Sequence, residues 1–439
     1  MDQLEHQQPQ AGFAWFPQLW IYLGFLTTSI AVRPGEAVLH RFAYIVYMAL
    51  FLYFALRKAL VLNKHVTIGL LLLLAFSLAS VASGTADPFL VLRTFSGLML
   101  LQLGLFSYFA FYNYDYKRLF RHYLIIARLV AAVGLIQEAS YILHFEPGWD
   151  LSWLYIGQLD RNVLQDLSGD GPIMRISSFF AEPGYLAAAL SPAGFLAINC
   201  LATANTTHFT RAQALMVLSA IFLTFSTIGY FGIALSLLFH FHRRHWKRAL
   251  IPMLMIGAIG WWAVTSVEFF RSRAEGLWIS LIAQEATGSE NSSSLIYAMN
   301  GEITRQNLME RPLIGSGYDS FMSTALAALD RMGLPDGFLI FISSQDIDSL
   351  NFADGATMYF KVLTEFGFVG LALILLFFYF YRARGPDSER KLLQNMCIVF
   401  ILTYSFRTGQ YIRFELWYFI ALYCCIKRYE MAARAPDPA

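Results

Sequence analysis

The segment from Arg175 to Tyr185, with the sequence RISSFFAEPGY, combines residue types that could bind an anion and move a proton. Arg175 is permanently charged and can hold a phosphate group through two parallel hydrogen bonds. Glu182 could serve as a general base, because a carboxylate in a partly dry site binds protons more tightly. The segment therefore predicts a catalytic pair of Arg175 and Glu182. The alternative is structural, because Glu-Pro-Gly also suits the first turn of a helix.

A second polar segment covers residues 300–318 and contains Arg305, Arg311 and the sequence PLIGSGY. The two arginines could add positive charge around a phosphate group. A Gly-x-Gly pattern can cradle phosphate, but alone it more often indicates a tight turn. We assign Arg305 and Arg311 to phosphate binding because they accompany this turn.

A third segment, DGATMYFKVLTEFGFVG at residues 354–370, leads from a polar stretch into an apolar run. Asp354 could be a further catalytic base, with Asp348 as the alternative. Lys361 and Glu365 are four positions apart, so on a helix they share one side and can neutralise each other.

Few basic residues fall inside the apolar runs, and a charge there is a candidate for function because it is costly in a bilayer. Arg93 lies near the outer end of its run, so we add it to the phosphate-binding candidates. For Arg128, Lys361 and Arg413, snorkelling or pairing with a neighbour is the alternative. Arg413 has Glu415 near it and Arg407 shortly before it.

Asp346 and Asp348 form an Asp-x-Asp pattern that could bind a metal ion, but the further ligands of an octahedral site are missing. We therefore expect no metal ion and no cofactor.

The composition indicates which elements must position these residues. Of the 439 residues, 57% are hydrophobic and 14% are charged, whereas a soluble domain is about 25% charged. These values exclude an ordinary soluble enzyme, a disordered protein and a disulfide-rich secreted module. The net charge of +2 offers no basic surface, so we expect no nucleic-acid partner. We expect one all-α polytopic integral membrane domain over residues 1–439.

Apolar runs of about 20 residues predict membrane helices. The run over residues 211–241 is ambiguous, because it is long for one helix and has a polar break at residues 226–229. The clear runs lie near residues 15–32, 42–62, 66–83, 88–111, 119–143, 179–200, 249–266, 354–381, 391–406 and 410–426.

The distribution of charge favours two short helices over residues 211–241. This gives about 12 transmembrane helices with both termini cytoplasmic, and it concentrates the basic residues on the cytoplasmic side. The short outer loops then hold few basic residues, Arg407 among them. The outer loops at residues 144–178 and 267–353 are long. The larger one lies between the ninth and tenth predicted transmembrane helices, near residues 249–266 and 354–381. Long loops often carry function, so this arrangement indicates work on an extracytoplasmic substrate.

The spacing of apolar residues within the larger loop predicts two amphipathic helices, over residues 294–308 and 321–329. The larger loop is therefore expected to contain short helices of its own.

Four motifs follow one another between residues 175 and 370: Phe-x-Glu-Pro-Gly at the start of a span, a Thr-x-Ser break, Pro-Leu-Ile-Gly-Ser-Gly-Tyr, and Glu-Phe-Gly-Phe-Val-Gly. Their order and the span count resemble the bacterial O-antigen polymerase and O-antigen ligase superfamily, Wzy-like proteins of the metal-independent C-type glycosyltransferase fold. The resemblance implies transfer of a glycan from undecaprenyl diphosphate at the periplasmic face of the bacterial inner membrane. It also implies that Arg175 holds the diphosphate, with Arg305 and Arg311 as weaker matches. Aromatic side chains could stack on the sugar rings of such a substrate. We assign this role to Trp149, Trp153, Tyr155 and Tyr318, while anchoring at the membrane interface is the alternative for the first three.

Two departures from the family pattern bear on the branch. Ligases carry a His-Asn pair shortly before the Glu-x-Gly motif, and residues 354–357 contain no histidine. Many members carry Ser-Arg in the break between the short spans, where this chain has Ser226 and Thr227. The missing histidine favours a polymerase of O-antigen, capsule or exopolysaccharide over a ligase that transfers to lipid A core.

The expected partners are an undecaprenyl-diphosphate-linked oligosaccharide, the lipid bilayer and, by resemblance, a protein that regulates chain length. A transporter of lipid-linked oligosaccharide would meet the same substrate, although matching halves are not seen in the sequence. A structural protein of an export complex is a third interpretation, in which the long loops bind partners.

Overall fold

In the computed structural model, the described part of the chain is helical. It covers residues 15–26, 42–62, 64–82, 84, 86–151, 174–180, 182–241, 292–332, 357–384 and 387–432. We number the helices of these ranges in chain order: α1 Trp15–Leu26, α2 Phe42–Leu56, α3 Lys64–Ala82, α4 Pro88–Phe111, α5 Tyr116–Ile142, α6 Glu146–Trp149, α7 Pro183–Thr203, α8 Arg211–Leu223, α9 Thr227–Phe241, α10 Ser292–Glu310, α11 Phe321–Met332, α12 Met358–Phe380, α13 Ser388–Arg407 and α14 Phe414–Ala432.

Four of these helices are long and apolar enough to cross a membrane. They are Val91–Phe111 within α4, Tyr116–Ile142, Pro183–Thr203 and Met358–Phe380. Shorter apolar helices accompany them, and their lengths of 10–17 residues fall below the usual span. The described residues thus fit a helical membrane protein. The count of 12 helices remains a prediction, and the span expected near residues 249–266 lies outside the described residues.

Several helices begin where a polar residue caps the first turn. The Asp115 side chain accepts hydrogen bonds from the backbone of Lys117 and Arg118 at the start of α5. Asp387 does the same for α13, and Thr357 for α12. These side chains satisfy backbone N–H groups that have no partner within the helix.

Helix α7 lies at the centre and packs against α5, α8, α9 and α13. Pro192 interrupts its backbone hydrogen bonding, and the hydroxyl group of Tyr123 bridges the gap. That hydroxyl donates to Ala189 O (2.9 Å) and accepts from Ala193 N (3.0 Å). The buried alanines of α7 let its neighbours approach closely, as in many membrane bundles.

The ambiguous run over residues 211–241 forms two helices, α8 and α9, as predicted. Helix α8 begins with a capping box in which Thr210 and Gln213 satisfy each other's backbone N–H groups. The turn between the helices lies beside the start of α7, because a Cβ atom built on Gly184 would lie 3.6 Å from Ser226 Oγ. The polar break therefore faces the segment with the candidate base.

Helices are present in both segments of the larger predicted loop, as α10 and α11. Apolar side chains of the two helices pack together with Phe360 of α12. The buried members are Ile296, Met299, Ile303, Phe321, Ala325 and Ala328. The location of this group outside the membrane remains a prediction.

Candidate functional site

Arg175 lies on an irregular segment, residues 174–180, that α5 and α8 hold in place. Gln137 Oε1 of α5 accepts hydrogen bonds from Ser177 N (3.0 Å) and Ser178 N (2.9 Å). Ile176 N donates to Leu223 O at the end of α8 (3.2 Å). The segment is therefore fixed next to the turn between α8 and α9.

Gln137 also connects this segment to Trp149. Its Nε2 atom donates to Trp149 O (2.9 Å), and the Trp149 ring meets the Tyr141 ring edge-on, with the ring centroids 5.8 Å apart. One buried side chain thus supports a candidate phosphate-binding residue, Arg175, and a candidate sugar-binding residue. Sequence reasoning missed Gln137, because a single glutamine in an apolar run carries no distinctive pattern.

Glu182 occupies the N-cap position of α7, but its side chain makes no capping hydrogen bond. Its carboxylate instead pairs with the guanidinium group of Arg407 at the end of α13. The Glu182 side chain is 45% exposed and that of Arg407 is 19% exposed. The pair is therefore open to solvent on the glutamate side and enclosed on the arginine side.

Arg407 and Arg413, which we call the arginine pair, both approach the ring of Tyr185. The Cζ atoms lie 4.0 Å and 5.4 Å from the ring centroid, respectively. Arg413 Nη2 also donates to the Tyr185 hydroxyl oxygen (3.4 Å). Tyr185 thus holds two cations near Glu182 through cation–π attraction.

A buried carboxylate accompanies the arginine pair. Glu415 is 1% exposed and accepts a hydrogen bond from Tyr404 OH (3.2 Å). The sequence places Glu415 near Arg413, with Arg407 shortly before it, so these charges were expected to lie close together. Sequence reasoning missed that both arginines approach Tyr185, because that contact joins distant segments of the chain.

The motif PLIGSGY, residues 312–318, forms what we call the strap, and it pairs with an opened turn of α12. Ser316 N donates to Thr364 O (2.8 Å) and Gly317 N to Glu365 O (2.9 Å). In return, Pro312 O and Leu313 O accept hydrogen bonds from the backbone of residues 368 and 369, over 2.9 Å and 3.0 Å.

A left-handed backbone at Gly367, with φ of 58° and ψ of −156°, opens this turn. A side chain at this position would bring a Cβ atom to 2.5 Å from Leu313 O. Glycine is therefore required by both the backbone angle and the close approach of the strap. Two motifs that were singled out separately, PLIGSGY and EFGFVG, meet here.

Buried charges lie behind the strap. Lys361 Nζ is 3.4 Å from Asp319 Oδ1 and 3.9 Å from Glu365 Oε1. The predicted contact between Lys361 and Glu365 is thus present, but Asp319 is nearer. Thr94 Oγ1 of α4 donates to Asp319 Oδ2 (3.0 Å). Lys361 and Glu365 are buried, so one enclosed cation faces two carboxylates.

The remaining candidate arginines have different surroundings. Arg305 is exposed and makes two hydrogen bonds to Glu302 on the same helix, over 2.7 Å and 2.6 Å, which lower the pKa of Glu302. Arg311 is exposed just after α10, and Arg93 is exposed on α4, one residue before Thr94. Within the described residues, the ion pair of Glu182 and the cation contacts of Tyr185 involve none of these three arginines.

Two further candidates have local roles. Tyr318 is 1% exposed and stacks on Tyr411, with ring centroids 5.7 Å apart, so its ring is not open to a sugar here. Arg128 donates to His208 O (2.8 Å) and lies over the Phe209 ring, which ties the connection between α7 and α8 to α5.

The other predicted site residues lie outside the described residues. They are Trp153, Tyr155, Asp346, Asp348 and Asp354. Neither a protein-family model nor a curated protein matches this chain.

Proposed function

We propose that the chain is a polysaccharide polymerase that transfers a glycan from undecaprenyl diphosphate onto a lipid-linked repeat unit. The observation that carries the proposal is the meeting of Glu182 with the arginine pair around Tyr185. A carboxylate can take the proton of an attacking hydroxyl group, and two guanidinium groups can stabilise a departing diphosphate. Arg175, on the neighbouring segment, is a third cation for this role.

The proposed reaction uses these groups in one displacement. The acceptor hydroxyl oxygen forms a bond to the anomeric carbon as the bond from that carbon to the diphosphate oxygen breaks. The hydroxyl proton passes to Glu182, and the negative charge that develops on the diphosphate faces the arginine pair. Arginine suits this position because it remains charged and binds phosphate oxygens bidentately.

The ion pair between Glu182 and Arg407 suggests the order of events. The free site holds a carboxylate where the donor would place a more highly charged phosphate group. Donor binding would displace Glu182 from Arg407, and the exposed side of the pair leaves the carboxylate room to turn away. Displacement would supply the base and the phosphate site in the same step.

The proposal places the protein in the bacterial inner membrane, with about 12 transmembrane helices, both termini cytoplasmic and the site facing the periplasm. In support, the segment with Arg175, the start of α7 and the end of α13 meet at one end of the bundle. At the other end of the bundle, Lys117 near the start of α5 pairs with Glu389 near the start of α13, over 2.8 Å. Basic residues at that end agree with a cytoplasmic face.

Reconstitution tests the proposal. The purified protein is placed in liposomes with one undecaprenyl-diphosphate-linked repeat unit and a chelator, without lipid A core, and the products are separated by gel. We expect the wild-type protein to produce a ladder. Arg407→Ala should reduce the ladder by about 100-fold or more, because it removes stabilisation of the leaving group.

Arg331→Ala is the matched control, because it also removes an arginine from an ion pair, here the exposed pair with Glu310. The control should keep the ladder. Absence of a ladder with authentic substrate would reject the polymerase. Transfer to added lipid A core would then indicate a ligase, and movement of the substrate across the bilayer without a product would indicate a transporter.

A further inference from the structure

We propose that Tyr411 is a positioning residue that sets the arginine pair by joining its loop to the strap and to the buried carboxylate of Glu365. This inference rests on the proposed function, since the arginine pair is there assigned to the donor diphosphate. Tyr411 itself touches no reacting group in this scheme.

The strap is held rigidly against its neighbours. Backbone hydrogen bonds run in both directions between the strap and the opened turn of α12. Asn307 Nδ2 adds a bond to Thr364 O (2.8 Å), and Ser316 Oγ adds another (3.1 Å). A Cβ atom on Gly317 would lie 2.0 Å from Ser80 Oγ, so the strap also lies directly against α3. The strap is therefore fixed in one position against α12 and α3.

Tyr411 is attached both to the strap and to the neighbouring Glu365. Its hydroxyl group donates to Glu365 Oε2 (2.8 Å), and its ring stacks on Tyr318 at the end of the strap, with planes 23° apart. Lys361 Nζ lies 4.9 Å from the Tyr411 ring centroid. Phe321 N, at the start of α11, donates to the other oxygen of Glu365 (3.2 Å). Tyr411 is thus held by a hydrogen bond, a ring contact and a cation.

In the chain, Tyr411 lies between the two residues of the arginine pair. It lies in residues 408–413, which we call the arginine loop, a non-helical connection between α13 and α14. Arg407 precedes this loop and Arg413 ends it. Trp417 Nε1 donates to Tyr411 O (2.7 Å), so the backbone at Tyr411 is held as well. Movement of Tyr411 would therefore shift the two guanidinium groups relative to Tyr185.

Hydrogen exchange on the full chain in detergent tests the linkage without relying on activity. Tyr411→Phe removes only the hydroxyl bond to Glu365. We expect about tenfold faster amide exchange in both the strap and the arginine loop, since a bond to a charged group is lost. Tyr423→Phe is the matched control, because it removes a buried tyrosine hydroxyl bond to Phe378 O (2.7 Å) elsewhere on α12. The control should leave both segments unchanged.

A change in the strap should likewise affect the arginine loop, because coupling between two sites is reciprocal. Gly315→Ala would place a Cβ atom 2.4 Å from Thr364 O and should loosen the strap. We expect faster exchange in the arginine loop as well. Gly69→Ala, where nothing lies within 4 Å of the added Cβ atom, is the control. Faster exchange confined to the substituted segment in either experiment would overturn the inference.

Transfer assays then separate positioning from general stability. In the wild-type background, Tyr411→Phe should lower kcat/KM for the lipid-linked donor about tenfold. In an Arg407→Lys background, which already misplaces the cation, the same change should cost less than about twofold. Losses that multiply would overturn the positioning role. A wild-type protein with no transfer, but with linked exchange in the two segments, would reject the proposed reaction and leave the linkage standing.

Discussion

Glu182 and Arg407 form an ion pair although they are 225 positions apart in the chain. The pair joins the start of the central helix α7 to the end of α13. Tyr185, one turn into α7, lies under the Arg407 guanidinium group, so the arginine is held from two sides. The carboxylate is the more exposed partner, which makes it the part of the pair that another anion can replace.

The first prediction concerns this exchange. Glu182→Gln removes the competing carboxylate from Arg407, so inorganic diphosphate should bind more tightly, by about 1 kcal/mol. Transfer should nevertheless fall by about 100-fold or more, because the proposed base is lost. Calorimetric titration with diphosphate and the ladder assay measure the two effects.

Glu310→Gln is the control for this prediction, because Glu310 is the carboxylate of an ion pair with Arg331 outside the site. It should change neither quantity. Weaker diphosphate binding in Glu182→Gln would show that the glutamate supports the anion site and does not compete for it.

The second prediction concerns Gln137, which supports the Arg175 segment. Gln137→Met removes the acceptor of the hydrogen bonds from Ser177 N and Ser178 N and the donor of the bond to Trp149 O. At about 1 kcal/mol for each of the three bonds, we expect a loss of about 3 kcal/mol in the free energy of unfolding. Denaturant unfolding in mixed micelles measures this loss.

Gln102→Met is a matched control for Gln137→Met. Gln102 is 2% exposed, and within the described part of the chain its amide atoms have no hydrogen-bond partner. Replacing it by methionine removes a buried polar group and should keep or raise stability. Equal losses in the two variants would contradict the role given to the Gln137 hydrogen bonds.

Much of the local structure could be predicted from the sequence. The polar break near Ser226 divides the run over residues 211–241 into two helices, because short polar residues favour turns over helix interiors. Glu-Pro-Gly at residues 182–184 begins a helix, as its residue types suggest. Both features depend on residues that are close together in the chain, so a local sequence pattern is enough to predict them.

The partners of the site residues could not be predicted in the same way. The sequence assigned Arg175 to an anion and Glu182 to a hydroxyl group, but it gave no sign that Glu182 pairs with Arg407. Gly367 sits in an apolar run that reads as a continuous helix, yet its backbone is left-handed because the strap docks there. Both features depend on contacts between distant segments, which one sequence does not reveal.

The third prediction concerns Gly367. Gly367→Ala requires a left-handed backbone at a residue with a side chain and places Cβ against Leu313 O. We expect a loss of about 3 kcal/mol in the free energy of unfolding, from strain and from undocking of the strap. Gly69→Ala on α3 is the control and should be neutral or slightly stabilising, because alanine favours a helix. Thermal unfolding of the two variants in detergent compares them.

The fourth prediction concerns the buried charges behind the strap. Lys361→Met removes the cation that faces Asp319 and Glu365, so two carboxylates lose their shared partner. Leaving buried charge uncompensated costs about 3–5 kcal/mol, and we expect a loss of that size in the free energy of unfolding. Adding Asp319→Asn removes one of the two negative charges, so the double variant should be more stable than Lys361→Met alone. Denaturant unfolding of the wild type, both single variants and the double variant gives the coupling between the two positions. Additive losses would mean that Lys361 and Asp319 contribute independently, against their contact of 3.4 Å.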